Sequence, residues 1–156
     1  MSSRGDISGT GRPGLLIDTT FLLPALGVKV EDEAMEVIPL FRRFEVYYLE
    51  AGLLEALWKV PKLIPVDKLS RVETGIKAIR RTYHLLTPHP EAFTEAARIY
   101  HAGHRDYIDS LHYTAARVGG IPLLTIDYSF LRFLKEHRYT VKGVVYTPDN
   151  IKDLLV

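Results

Sequence analysis

Two apolar segments of the sequence each end in an aspartate that is followed by hydroxyl side chains. Asp18 closes the run LLID before two threonines, and Asp127 closes the run LLTID before Tyr-Ser. Short apolar runs of this kind predict strands that are buried on both faces of a parallel sheet. Because ligands of such sheets bind beyond the carboxyl ends of the strands, we expect both carboxylates at one edge. A single aspartate there could equally be the N-cap of the next helix, but the pair favours a site.

Two predicted helices add acidic side chains to this edge. Asp109 lies one turn after Asp106 in DYIDSLHYTAA, and we interpret Asp106 as the helix cap and Asp109 as a ligand. Glu55 lies in LLEALWKV, where its apolar neighbours, including Trp58, are expected to face the core. A glutamate in an amphipathic helix is usually solvated, so that interpretation stays open for Glu55, and Glu50 is its substitute.

Carboxylates that converge on one edge repel each other, which raises their pKa values and destabilises the fold. A divalent cation removes this repulsion. The absence of cysteine excludes a thiolate zinc site, so we expect Mg²⁺ or Mn²⁺. Such an ion activates water and neutralises phosphate charge during phosphodiester cleavage. The predicted set consists of the metal ligands Asp18, Asp109 and Asp127, the catalytic Glu55, and the supporting hydroxyls of Thr20 and Thr125.

The rest of the sequence alternates short apolar segments with amphipathic ones, which predicts a three-layer α/β/α sandwich around a mostly parallel sheet. The expected strands span residues 15–17, 46–49, 83–87, 121–126 and 142–146, and the expected helices span residues 31–44, 50–60, 66–81, 91–102, 106–118 and 130–137. Pro61 is expected to end the second helix. Residues 1–13 are predicted to be a flexible tail, and residues 14–156 a single domain.

The motifs LLIDTTFLLPAL, LLEALWK and DSLHYTAARVGGIPLLTIDYSF resemble those of the PIN domain (PilT N-terminal domain) family, over residues 15 to about 147. The positions that match the family pattern are Asp18, Glu55, Asp109 and Asp127, with Thr125 and Phe130 in the T-x-D-x-x-F element. The resemblance implies a PIN-like fold and a metal-dependent ribonuclease, often the toxin of a VapC-type toxin–antitoxin pair. It also implies a homodimer or higher homo-oligomer and a small antitoxin protein that blocks the site.

Two features depart from the family pattern. Thr20 stands where asparagine or serine is most common, so its hydroxyl must replace the usual polar contact. The segment between Glu55 and Asp109 is long and interrupted by prolines. We therefore expect its partner and substrate surfaces to differ from those of typical toxins.

Basic charge is concentrated in residues 59–81, which contain seven Lys and Arg residues and two acids in a chain whose net charge is +1. Such groups make most contacts to phosphates, although a solvated helix face explains the same pattern equally well. The expected RNA contacts are Lys59, Lys62, Arg80 and Arg81. The tyrosines near the acids that are candidates for stacking on unpaired bases are Tyr107, Tyr113 and Tyr128. The favoured alternative is that at least two of them belong to the core.

The main alternative function is a non-catalytic PIN-like module that binds RNA or protein, against which the complete acidic set argues. A phosphatase or phosphotransferase would need a second aspartate at the position of Thr20, and flap-type DNA nucleases are usually longer. His101 and His104 have helical spacing but no third ligand nearby, which argues against zinc. No apolar run reaches the ~18 residues of a membrane span, and no signal peptide is evident, so a cytoplasmic protein is expected.

Overall fold

The computed structural model describes residues 11–156, so most of the predicted N-terminal tail lies outside the described residues. Within that range, five strands form one sheet in which every neighbouring pair is parallel. The strands are β1 (Gly14–Ile17), β2 (Glu45–Tyr48), β3 (His84–Leu85), β4 (Leu123–Leu124) and β5 (Val145–Tyr146). Their order is β3-β2-β1-β4-β5, so the direction in which strands are added reverses between β1 and β4. This pair is the topological switch point of a doubly wound sheet.

Helices cover both faces of the sheet. They are α1 (Asp32–Val37), α2 (Glu50–Leu63), α3 (Leu69–Thr82), α4 (Pro90–Ala102), α5 (Tyr107–Gly119) and α6 (Tyr128–Glu136). Side chains alternate along a strand: Leu15 and Ile17 pack with residues of α1, α2 and α3, whereas Leu16 packs with residues of α4, α5 and α6. The predicted three-layer sandwich is confirmed. In the part of the chain that is described, no helix combines the length and apolar character needed to cross a membrane.

Two predicted helices end elsewhere than expected. The helix predicted over residues 31–44 is divided into α1 and a 3₁₀ segment, Ile38–Arg43, because Pro39 lacks the N–H that an α-helix would use. The expectation that Pro61 ends the second helix is wrong, since α2 contains Pro61 and continues to Leu63. Pro61 removes one backbone hydrogen bond, and α2 ends two residues later.

The strands predicted over residues 83–87, 121–126 and 142–146 are shorter than expected. Each contributes two residues to the sheet. After β4 the chain turns out of the sheet, and this turn carries the polar residues of the LLTID motif to the sheet edge. The early end of β4 therefore helps to build the site.

Close packing against α3 fixes the turn that follows β1. The chain continues from β1 as two 3₁₀ turns, Thr19–Leu22 and Pro24–Leu26. Gly75 of α3 lies against the second turn, where an added Cβ would sit 2.0 Å from the carbonyl oxygen of Ala25. A side chain at position 75 would push α3 away and loosen the segment that follows Asp18.

Candidate active site

The candidate site lies at the switch point of the sheet. Asp18 directly follows β1 and Asp127 lies shortly after β4, and these two strands are hydrogen-bonded neighbours. Asp109, in the first turn of α5, interacts with the charges of both Asp18 and Asp127. Asp18 also interacts with the charge of Glu55. The four acids named from the sequence therefore lie close enough to interact electrostatically.

Three aspartates of this region cap helices. Each side chain accepts a hydrogen bond from a backbone N–H: Asp18 from Thr20 at 3.1 Å, Asp106 from Asp109 at 3.1 Å, and Asp127 from Phe130 at 3.0 Å. The expectation that Asp106 is a cap is confirmed. For Asp18 and Asp127, a cap and a ligand are not exclusive roles, because a carboxylate has two oxygens and about four lone-pair sites.

Thr125 connects the two loops that carry the strand-end aspartates. Its buried hydroxyl accepts a hydrogen bond from the Asp127 N–H at 3.0 Å and acts to lower the pKa of Asp18. Burial, followed by the charges of Asp127 and Glu55, outweighs this effect and raises the pKa of Asp18 to about 7. Thr20 contributes its backbone N–H to Asp18.

Asp109 and Asp127 share a hydrogen bond between their side chains. Burial, followed by the charges of Asp106 and Asp127, raises the pKa of Asp109 well above its usual range. Burial also acts to raise the pKa of Asp127, but hydrogen bonds from the Phe130 N–H, Ser129 and Asp109 outweigh it and lower that pKa. The two shifts run in opposite directions, as expected when two neighbouring carboxyl groups hold one proton between them.

His104 is a site residue that the sequence analysis did not identify. Its Nε2 lies 3.2 Å from Oδ2 of Asp109, and its ring stacks on Phe130 with the centroids 4.4 Å apart. Burial lowers the pKa of His104. The sequence signal that identifies it is a histidine two residues before the α5 cap, Asp106.

Glu55 of α2 is tied to the turn after β1. The Thr19 hydroxyl donates a hydrogen bond to Oε1 of Glu55 at 2.6 Å. Glu50, the substitute considered from the sequence, is instead held by Arg80 through two bonds of 3.1 and 3.0 Å. Of the two glutamates, Glu55 is the one that adjoins Asp18.

Close packing of α2 on α5 brings Glu55 to this position. Gly52 faces the buried His112, and a Cβ at Gly52 would lie 2.9 Å from His112 Nε2. Nδ1 of His112 bonds the carbonyl of Ile108 at 2.9 Å, and burial lowers the pKa of His112 to about 4. This neutral histidine lies beneath α2.

The residues expected to bind RNA differ in their availability. The guanidinium of Arg80 already bonds Glu50 and the Tyr48 hydroxyl, so it is not free to bind phosphate. Lys59 and Lys62 lie exposed on α2, and Arg81 is exposed on α3.

The candidate stacking tyrosines also differ. Tyr113 is fully buried, so it is one of the tyrosines expected in the core and does not stack on a base. The Tyr107 hydroxyl bonds the Phe93 carbonyl at 3.0 Å, and the exposed Tyr128 bonds Glu33.

The donor chemistry of the site fits a hard divalent cation, since its side chains offer carboxylate oxygens. Mutual charge and burial raise the pKa values of Asp18 and Asp109, and a cation would offset this. Among residues 11–156, however, no three Asp, Glu or His side chains are already grouped to hold one ion. Loss of the proton shared by Asp109 and Asp127 would free oxygens for coordination.

Comparison with known proteins identifies the family. The PIN domain model matches residues 15–135. The fold is similar to that of PAE2754 from Pyrobaculum aerophilum, with 18% identity, a TM-score of 0.59, and coverage of 99% of this chain and 96% of that one.

Two further solved structures share the fold. One is VapBC2 from Rickettsia felis bound to a DNA fragment from their promoter, with 12% identity, a TM-score of 0.60, and coverage of 86% of this chain and 98% of that one. The other is FitAcB from Neisseria gonorrhoeae, with 16% identity, a TM-score of 0.59, and coverage of 88% and 99%. A search of curated proteins gave no match. With a family model that spans most of its length, this chain belongs to the PIN domain family.

Proposed function

We propose that this protein is a Mg²⁺- or Mn²⁺-dependent endoribonuclease that hydrolyses phosphodiester bonds of single-stranded or structured RNA. One observation carries the proposal: Asp18, Asp109 and Asp127 lie within electrostatic range of one another at the switch-point edge of the sheet. Burial and mutual repulsion raise the pKa values of Asp18 and Asp109. Perturbed carboxylates in this position are typical of functional sites.

Each residue of the candidate site has a distinct role in this proposal. Asp18, Asp109 and Asp127 would hold the ion, and a bound divalent ion would supply water activation and neutralisation of phosphate charge. Thr125 keeps the carboxylate of Asp18 aligned with the loop of Asp127. Glu55, which Thr19 fixes, is placed to orient the attacking water.

The direct test is cleavage of a labelled single-stranded RNA with Mn²⁺, and with EDTA as the control. We expect cleavage that EDTA abolishes and that Asp18→Asn abolishes while the fold is retained. The exposed Asp153 provides the matched control, because Asp153→Asn makes the same chemical change away from the site. If the Asp18→Asn protein is as active as the Asp153→Asn protein, the proposal is wrong.

We further propose that the protein is the toxin of a toxin–antitoxin pair. The resemblance to VapC-type toxins and the similarity of fold to VapBC2 support a toxin that assembles as a homodimer or higher homo-oligomer and is inhibited by an antitoxin protein, in the cytoplasm. Induced expression of the wild type should then arrest growth, and expression of Asp18→Asn should not. Equal growth of the two strains at equal protein levels would contradict the toxin assignment.

A non-catalytic PIN-like RNA- or protein-binding module is the second candidate. It is favoured by one observation: among the described residues, no three Asp, Glu or His side chains are already grouped around one metal position. This candidate predicts RNA binding that neither Mn²⁺ nor EDTA affects, together with no cleavage. The cleavage assay therefore separates the two functions.

A further inference from the structure

The outer face of α2 carries large apolar side chains that the helix pattern placed in the core. The side chain of Trp58 is 70% exposed, and that of Leu54, one turn earlier, is 56% exposed. The expectation that Trp58 faces the core is wrong, because α2 buries the opposite stripe, Leu53, Ala56 and Val60. A tryptophan exposed to this extent is unusual in a folded domain.

These side chains line a groove of about 430 Å³. Leu54, Trp58 and Ile108 form its apolar part, and Lys59 and Lys62 form its basic part. Trp58 and Lys62 are four residues apart, as are Leu54 and Trp58, so they project from one side of the helix.

The groove leads directly to the carboxylate edge. Glu55 lines the groove and also bonds the Thr19 hydroxyl, next to Asp18. Ile108, on the other side, immediately precedes Asp109. A ligand in the groove would therefore extend towards the acids of the proposed catalytic site.

We infer that this groove, the Trp58 groove, is a subsite for an unpaired base of single-stranded RNA. Trp58 stacks on the base, and Lys59 and Lys62 bind the phosphates on either side. The inference rests on the proposed function, since it places an RNA next to the cleavage site. Base stacking on an aromatic side chain combined with basic charge is how proteins bind single strands without reading sequence.

The charges favour a nucleic acid over a protein partner. Phosphates match the two lysines, and a planar base matches the tryptophan face. A protein helix would cover the apolar side chains but would need acidic groups against both lysines. Duplex RNA cannot occupy the groove in this way, because its bases are paired and stacked on each other.

The protein carries its own probe for this test, because Trp58 is its only tryptophan. Titration of the wild-type protein with a single-stranded oligoadenylate in EDTA, where no metal-dependent cleavage occurs, should quench Trp58 fluorescence. The same RNA annealed to its complement should quench it far less. A single strand that binds without changing the fluorescence would overturn the inference.

Variants test the roles of the individual side chains, with affinity measured by anisotropy of a labelled oligonucleotide. Trp58→Ala should weaken binding by about tenfold to hundredfold, the range expected for one stacked base, and Trp58→Phe should retain most of the affinity. Affinity falls as salt rises, and Lys59→Gln and Lys62→Gln should each reduce the steepness of log affinity against log salt by about 0.7. The exposed Met35 of α1 provides the control, because Met35→Ala removes apolar surface elsewhere and should not change affinity.

The outcomes distinguish this inference from the proposed function. If RNA quenches Trp58 but Mn²⁺ supports no cleavage, the subsite stands and the nuclease proposal fails. If cleavage is normal and Trp58→Ala binds RNA as tightly as the Met35→Ala control, the subsite is wrong and the nuclease proposal stands. If Trp58→Ala leaves RNA affinity unchanged but converts an oligomer to a monomer by light scattering, the groove is a protein interface and the inference is overturned.

Discussion

The buried carboxylates at the two ends of the central sheet have opposite electrostatic surroundings. At the amino end, Glu45 opens β2 and is only 4% exposed, and its two oxygens pair with Arg12 and His84. At the carboxyl end, Asp18 and Asp109 lie against other acids, and Asp109 contacts one histidine. Both ends contain buried acids, but only the amino end pairs its acid with two basic side chains.

The difference separates a structural carboxylate from a candidate functional one. A buried charge that is paired and hydrogen-bonded is compatible with stability. A cluster that keeps raised pKa values lowers stability, and proteins retain such clusters where activity requires them. Substitutions at the two ends should therefore affect different properties.

The largest expected effect concerns cleavage. Asp109→Asn should reduce the Mn²⁺-dependent cleavage rate more than about 100-fold, above the loss expected when only a supporting partner of a metal ligand is removed. Glu45→Gln should leave the rate within about twofold, provided that the protein is folded. Single-turnover cleavage of a labelled RNA measures both. Equal losses in two folded variants would remove the distinction between the two ends.

The second effect concerns stability, which the substitution at the amino end should change more than the substitution at the carboxyl end. Glu45→Gln should lower the free energy of unfolding by about 1–2 kcal/mol, because it removes a buried charge from two basic partners that are themselves partly exposed. Asp109→Asn should leave stability unchanged, since this pair already holds a proton and the amide N–H can donate to Asp127 in its place. Urea denaturation in EDTA compares the two, and a stabilised Glu45→Gln protein would contradict the assignment.

The third effect concerns His104, which connects the acidic cluster to the aromatic rings of α6. His104→Ala should reduce cleavage by about 10-fold and raise the Mn²⁺ concentration needed for half-maximal rate, because Asp109 loses a partner that orients it. His104→Asn should recover part of the rate through its amide N–H. A change in melting temperature with an unchanged Mn²⁺ requirement would assign His104 a purely structural role.

The smallest effect is the pH dependence of the metal-free protein. In the folded state Asp18 holds its proton up to a pKa of about 7, above the ordinary value of 3.8. The folded state therefore binds more protons, and its stability should fall as pH rises from about 4 to above 7. Asp18→Asn should flatten this fall and raise the melting temperature at pH 8 by about 2–6 °C. Melting curves in EDTA at pH 5 and pH 8 provide the test, which an equally steep fall in the variant would fail.

Much of the fold could be predicted from local patterns. The apolar run of β1 and the alternation of strands and helices predicted a three-layer α/β/α sandwich, and the confirmed sheet is parallel throughout the described residues. The helix capped by Asp106 was also correct. These features depend on hydrophobic periodicity and on capping, which act over a few residues.

Other features depend on distant parts of the chain and could not be predicted. α2 continues past Pro61 to Leu63, and the exposure of Trp58 depends on which side of α2 packs against the core. Gly75 looks like a weak point in a helix, but only the approach of the Ala25 carbonyl explains it. The basic segment made Arg80 a candidate RNA contact, whereas in the structure it is paired with Glu50.

By itself, the sequence determined which acids could form the site, because Asp18 and Asp127 follow strands that a parallel sheet must align at one edge. The tertiary structure decided how those acids interact. It brought Asp109 and Asp127 close enough to share a proton, placed Thr125 between the two loops, and brought His104 against Asp109. Strand ends follow from local periodicity, whereas pKa values and hydrogen-bond partners depend on burial and on charges that the chain brings together only when it folds.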